Sequence, residues 1–131
     1  MAEFIMKSLT DKYYVESAAT TTEEIGNGIY PNAREQLKSH GIGGYKDKVA
    51  RQVTRADYDK FDYLVIMDEE NRWGLKRIVG DDKDGKIHKL LEFAGLDDDI
   101  SDPWYTRDFD LCFNEIYKGC EGMIKFIEKN Y

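Results

Sequence analysis

The sequence predicts an α/β sandwich with a mostly parallel sheet, and three observations carry that prediction. Strand-like and helix-like segments alternate along the chain with short connections. The segment FDYLVIMD (61–68) carries an unbroken apolar, β-forming run at 63–67, as expected of a parallel strand covered on both faces. The C-terminal stretch places Phe109, Cys112, Phe113, Ile116, Cys120, Met123, Ile124 and Ile127 three or four positions apart, which is the spacing of one apolar helix face.

In chain order, MAEFIMKSLTD (1–11) sets Met1, Phe4, Ile5 and Leu9 on one helical face, with no capping residue ahead of it. YYVESA (13–18) has the β-formers and the flanking Thr run of a strand. Residues 20–30 are polar and Gly-containing and predict a loop. Pro31 suits a helix start, and PNAREQLKSHG places Gly41 as its C-cap. GIGGYKDK (41–48) predicts a flexible connection. Thr54 caps a short helix, TRADYDK, with Asp57 three residues on as in a capping box.

After the 61–68 strand, EENRWGLKRIV (69–79) predicts a helix and GDDKDG a charged turn. KIHKLLEF (86–93) is ambiguous by period, but its length and place in the alternation favour a strand. The acidic loop LDDDISDPWYT leads to the last helix. The predicted order is therefore α-β-α-α-β-α-β-loop-α in a single domain over 1–131.

Composition narrows the classes of function. Of 131 residues, 41% are apolar and 34% charged, with nine Tyr, six Phe and two Trp, enough for a packed core. A net charge of −7 argues against bulk binding to nucleic acid or to an anionic membrane. No apolar run approaches a membrane span, and the start lacks a signal-peptide pattern, so a cytoplasmic protein is expected. The two cysteines, Cys112 and Cys120, are too few for a disulfide scaffold or a zinc site, and both fall on the apolar face of the last helix as core thiols. His40 and His88 have no visible partners in the sequence and read as a helix-end and a strand-surface histidine. Asp82-Lys83-Asp84-Gly85 starts like a calcium loop, but its glycine comes at position four and Phe93 stands at position twelve; it is a turn. The Asp97–Asp99 run reads as a solvated acidic loop.

Five strings combine more specifically: MAEFIMKSL, VESAATTTEEIG, YPNAREQLKSHGI, VARQVTRADYDKFDYLVIMDEEN and DPWYTRDFD…GCEGMIKFIEK. Together they resemble the low-molecular-weight protein tyrosine phosphatases, in the bacterial branch, from residue 1 to about residue 129. The resemblance implies a flavodoxin-like three-layer sandwich that acts on phosphotyrosine proteins or small aryl phosphates without metal or organic cofactor. In that family a thiolate in a C-x5-R loop attacks the phosphate, and a cysteinyl-phosphate forms and is hydrolysed. Backbone amides, a helix N-terminus and the arginine hold the phosphate. An aspartic acid protonates the leaving phenolate.

Residue by residue, Asp102 matches that general acid, and Trp104 and Tyr105 match the aromatic walls of the substrate pocket. Ser17 matches a serine that steadies the phosphate loop. Read alone, Asp102 is an acidic turn, Trp104 and Tyr105 are helix-entry packing, and Ser17 is a strand-end serine. Glu23 and Glu24 stand where the family has an aromatic near the rim, and Lys48 near the place of a supporting histidine. The related arsenate reductases need extra cysteines after the third strand, and none lies between 69 and 86.

The departure is large: no C-x5-R occurs, so the nucleophile, the arginine and the amide cradle are missing from these residues. The chain is expected to start just after that loop, without the first, interior strand of the sheet. An unsatisfied buried backbone group costs about 1–3 kcal/mol, and several together rival a domain stability of about 5–15 kcal/mol. The chain alone is therefore expected to fold poorly, to recruit a strand from a neighbour as a homo-oligomer, to re-pair its sheet, or to aggregate. Two functions compete: a tyrosine phosphatase represented without its nucleophile loop, and a catalytically dead relative that binds partners or oligomerises.

Overall fold

The computed structural model describes residues 1–21, 26, 28, 31–100 and 108–130. Five helices and a short parallel sheet account for the regular structure there: α1 (Ala2–Leu9), α2 (Pro31–Ser39), α3 (Arg55–Lys60), β1 (Leu64–Ile66), α4 (Glu69–Val79), β2 (Ile87–Lys89) and α5 (Phe109–Asn130). β1 pairs with β2 in parallel, Leu64 opposite Ile87 and Ile66 opposite Lys89. A separate parallel bridge joins Ala19 to Gln52.

Local chemistry explains the element ends. α3 starts in the capping box of Thr54 and Asp57. α4 starts where Asp68 accepts from the Asn71 amide at 2.8 Å. α1 has no side-chain cap, and the Phe4 and Ile5 amides turn back to the Met1 carbonyl. Gly41 (φ 72°) follows α2, as its predicted C-cap role requires. Helices pack on both sides of the sheet. Phe4, Ile5, Leu37, Leu90, Leu91, Phe113, Ile116 and Cys120 form the larger core; Tyr58, Leu64, Ile66, Leu75, Val79 and Ile87 form a second one under α3 and α4.

Several expectations need correction. Residues 14–18 take no regular secondary structure and join no ladder; only Ala19 pairs, because a strand forms when a partner edge lies alongside. The predicted strand 86–93 keeps only Ile87–Lys89. Leu90–Ala94 winds into a 3₁₀ turn closed by Gly95 in the left-handed region, which drives Leu90 and Leu91 into the core against α5. β1 is shorter than FDYLVIMD, and Val65 between buried Leu64 and Ile66 is only half-buried. The 41–48 connection is anchored, with Ile42 buried and Tyr45 edge-on to Phe4. Both histidines have partners: the His40 ring stacks on Phe113 at 3.7 Å, and His88 Nδ1 lies 2.7 Å from Glu92.

Candidate functional site

The site grows from the first turn of α1. Glu3 sits there as an acidic residue next to the positive helix end, and it is buried. Its carboxylate accepts from Lys7 Nζ (2.6 Å), from Ser17 Oγ (2.6 Å) and Ser17 N–H (3.1 Å), and pairs with Lys48 Nζ (3.0 Å). Lys48 also donates to the Ser17 carbonyl at 3.2 Å. Burial works against the charge on Glu3, but the hydrogen bonds from Lys7, Ser17 and Lys48 outweigh it and hold its pKa at about 2. Ser17 is thus tied to α1 on one side and to the segment before Ala50 on the other.

The neighbouring side chain in the extended segment goes to a different node. Glu16 accepts from Arg51 Nε at 2.9 Å, and Arg51 grips Asp57 through two nitrogens at 2.9 and 3.1 Å. Hydrogen bonding to Asp57 raises the Arg51 pKa, and that from Arg51 lowers the Asp57 pKa. Residues 16 and 17 therefore go to different nodes, Glu16 to Arg51 and Ser17 to Glu3. A third node sits past the ends of the sheet. Buried Lys89 pairs with Asp99 at 2.9 Å and Glu69 at 3.0 Å, and Ile100 N–H donates to the Met67 carbonyl. This fastens the chain just ahead of residues 101–107 to the carboxyl end of β1, the end at which open α/β sheets bind ligands.

A cavity of about 1400 Å³ touches the first two nodes; Glu3, Ser17, Glu16, Arg51 and Asp57 line it together with Asp68, Asn71, Val15, Val65 and Met123. Asp102, Trp104 and Tyr105 lie outside the described residues, as do Glu23 and Glu24. Both cysteines are buried in α5, and burial pushes the Cys120 thiol up to about 12, the reverse of an activated nucleophile. Asp82 accepts from Tyr58 Oη and from the Lys86 and Ile87 amides, so that charged segment is a turn held by its own hydrogen bonds. Among the described residues no cluster of His, Cys, Asp or Glu has the makings of a metal site, and no helix is long and apolar enough to cross a membrane.

A model of the family described as low molecular weight phosphotyrosine protein phosphatase matches residues 1–131. The chain belongs to that family. It is 34% identical to the low molecular weight protein-tyrosine-phosphatase YfkJ of Bacillus subtilis over 125 residues, 94% of this chain and 80% of the relative. It is 39% identical to the Gallus gallus low molecular weight phosphotyrosine protein phosphatase over 129 residues, 94% and 78% of the two chains. Among solved structures, that of YfkJ from Bacillus subtilis superposes with a TM-score of 0.88 at 34% identity, covering 98% of this chain and 86% of the other. The Streptococcus pyogenes enzyme SP-PTP gives 0.86 at 35% identity, covering 95% and 81%.

Ser17, a residue the sequence singles out, lies at the centre of the Glu3 node. Sequence reasoning missed Glu3 and Lys89. The signal for Glu3 was present, a carboxylate on the apolar side of an amphipathic helix with Lys7 four residues on. For Lys89 no local signal exists, because Glu69 and Asp99 reach it from distant parts of the chain.

Proposed function

We propose that these residues belong to a domain that hydrolyses phosphotyrosine monoesters or small aryl phosphates by way of a cysteinyl-phosphate. In that reading a cysteine thiolate attacks phosphorus and the phenolate leaves, taking the proton of Asp102; water then cleaves the S–P bond and regenerates the thiolate. Trp104 and Tyr105 wall the aryl pocket, and Ser17, fixed by Glu3 and Lys48, supports the phosphate loop. The observation that carries the reading is the family match over all 131 residues, which is joined by the Ser17–Glu3–Lys48 node, whose Glu3 and Ser17 line the cavity.

The polypeptide of these 131 residues turns over no aryl phosphate by itself, because it contains no Cys-x5-Arg and its two thiols are core residues. Incubation with p-nitrophenyl phosphate should release no nitrophenolate above the blank; release that vanishes in Asp102→Ala would overturn this. A chain extended ahead of Met1 by an apolar strand and a Cys-x5-Arg loop should gain turnover. Asp102→Ala in that extended chain should then lower kcat by about 10²–10⁴-fold. A binding role without catalysis is the second reading, favoured by the open cavity alone.

A further inference from the structure

Helix α4 packs inward through Leu75 and Val79 and turns Glu70, Trp73, Lys76 and Arg77 to solvent. Glu69 and Glu70 stand in its first turn and Lys76 and Arg77 in its last, each pair opposite in sign to the helix end it occupies. Glu69 holds Arg72 and Lys89, whereas the side chains of Glu70, Lys76 and Arg77 have no partner among the described residues. Midway between the charged ends lies Trp73, 68% exposed. The macrodipole accounts for the charges and not for the indole, which is a middling helix former and leaves a large apolar surface in water. At about 100° per residue, Glu70 and Arg77 fall on one flank of Trp73, and Glu69 and Lys76 on the other. The linings agree with this: Glu70, Trp73 and Arg77 border the large cavity, while Glu69, Arg72, Trp73 and Lys76 border a separate cleft of about 130 Å³.

We propose that this face is a contact between two copies of the chain, with the α4 helices antiparallel about a twofold axis beside Trp73. The face is complementary to itself. Reversing a second α4 about Trp73 sets Glu70 alongside Arg77 of the second copy, on one flank, and Glu69 alongside Lys76 of the second copy, on the other. Symmetry makes each pair occur twice. The two indoles meet at the centre, where a buried Trp contributes most to an interface and offset ring stacking is available. A parallel arrangement would instead set like charges together. A wholly acidic or wholly basic partner would suit one end of the face and oppose the other, so a second copy is the occupant the charges select. One helix of 11 residues from each copy buries less than the about 1,200 Å² at which standard interfaces begin, so the dimer is weak and forms at high protein concentration. This contact makes no use of the sheet and stands apart from the phosphatase reading.

Sedimentation equilibrium of the full 131-residue chain, in a series up to about 1 mM, should show monomer and dimer in exchange. Trp73→Ala should raise Kd by about 30-fold. Glu70→Arg and Arg77→Glu should each raise it by about tenfold, because each sets like charges together at both copies of the pair. An equimolar mixture of those two variants should dimerise again, since each chain then offers the charge the other lacks. All three positions are exposed, so the substitutions leave the core untouched. An independent measurement is carbodiimide coupling of isotope-labelled with unlabelled chains, read by mass spectrometry. It should join Glu69 of one copy to Lys76 of the other, and the product should disappear in Trp73→Ala. A monomer throughout the series, or a mixture that associates no better than either variant, would overturn the proposal. So would the absence of the Glu69–Lys76 product between chains. Association that ignores both charge reversals would also overturn it and would point to the sheet instead.

Discussion

Ser17 Oγ donates to Glu3 Oε1 across 2.6 Å, and the Ser17 amide reaches the same oxygen at 3.1 Å. One carboxylate oxygen thus ties a segment without a strand ladder to the first turn of a helix fourteen positions earlier. Glu3 is buried while Ser17 is exposed, so the bond is partly screened from water, and Lys48 completes the charge balance at 3.0 Å.

Glu3→Gln should therefore destabilise the fold. The amide keeps the volume but leaves two lysines facing a neutral group, and a buried node losing its charged acceptor costs about 2 kcal/mol. Urea denaturation followed by circular dichroism reads the difference; a loss below about 0.5 kcal/mol would show that Ser17 is held mainly by packing.

The same carboxylate sets an acid limb. Its native pKa of about 2 lies below the ordinary 4.5, so between these values the unfolded chain binds more protons than the native one. Its contribution is complete above pH 4.5 and is lost as pH falls toward 2. Asp57, held low by its Arg51 partner, adds in the same direction. Melting midpoints measured from pH 6 to pH 2.5 should fall steeply for the parent chain and less steeply for Glu3→Gln.

Gly122→Ala sets two effects against each other. Alanine favours the interior of α5 by about 1 kcal/mol over glycine. A Cβ at that position, however, would lie 2.2 Å from the Phe93 carbonyl oxygen and 2.7 Å from its carbon, and backbone cannot swing aside. Overpacking of this kind costs up to about 3 kcal/mol, leaving a net loss of about 2 kcal/mol. Thermal or urea melting should show it, and a more stable variant would mean that α5 and the 3₁₀ turn can part without cost.

The thiols should be silent in the folded chain. Cys112 and Cys120 are 4% and 1% exposed, and burial lifts the Cys120 thiol to about 12. At pH 8 a disulfide reagent such as Ellman's should react with neither before unfolding and with both in urea. Rapid reaction of either in native buffer would contradict the packing of α5 against Leu90.

How much of this was legible in advance follows the range of the interactions. The α3 capping box, the Pro31 start and the apolar face of α5 depend on residues within a few positions of one another, and each stands where local spacing places it. YYVESA carried every local strand signal and yet pairs only at Ala19, since a strand is a relation between two segments. KIHKLLEF fails for a related reason: the 3₁₀ turn at Leu90 exists because α5 offers Gly119 and Gly122 as a close-fitting floor. Asp102, Trp104 and Tyr105 lie outside the described residues, and their assignment rests on the family strings alone.

By itself the sequence determined the family, the helices and the absence of any Cys-x5-Arg, because these follow from residue identity and short-range order. Tertiary structure alone decided that Glu3 gathers Lys7, Ser17 and Lys48, that Lys89 anchors the chain ahead of Asp102, and that Ala18 and Val65 line one cavity. Apart from Glu3–Lys7, those relations join residues ten or more positions apart. The free energy that brings them together comes from burying the two cores, which no local window of sequence contains.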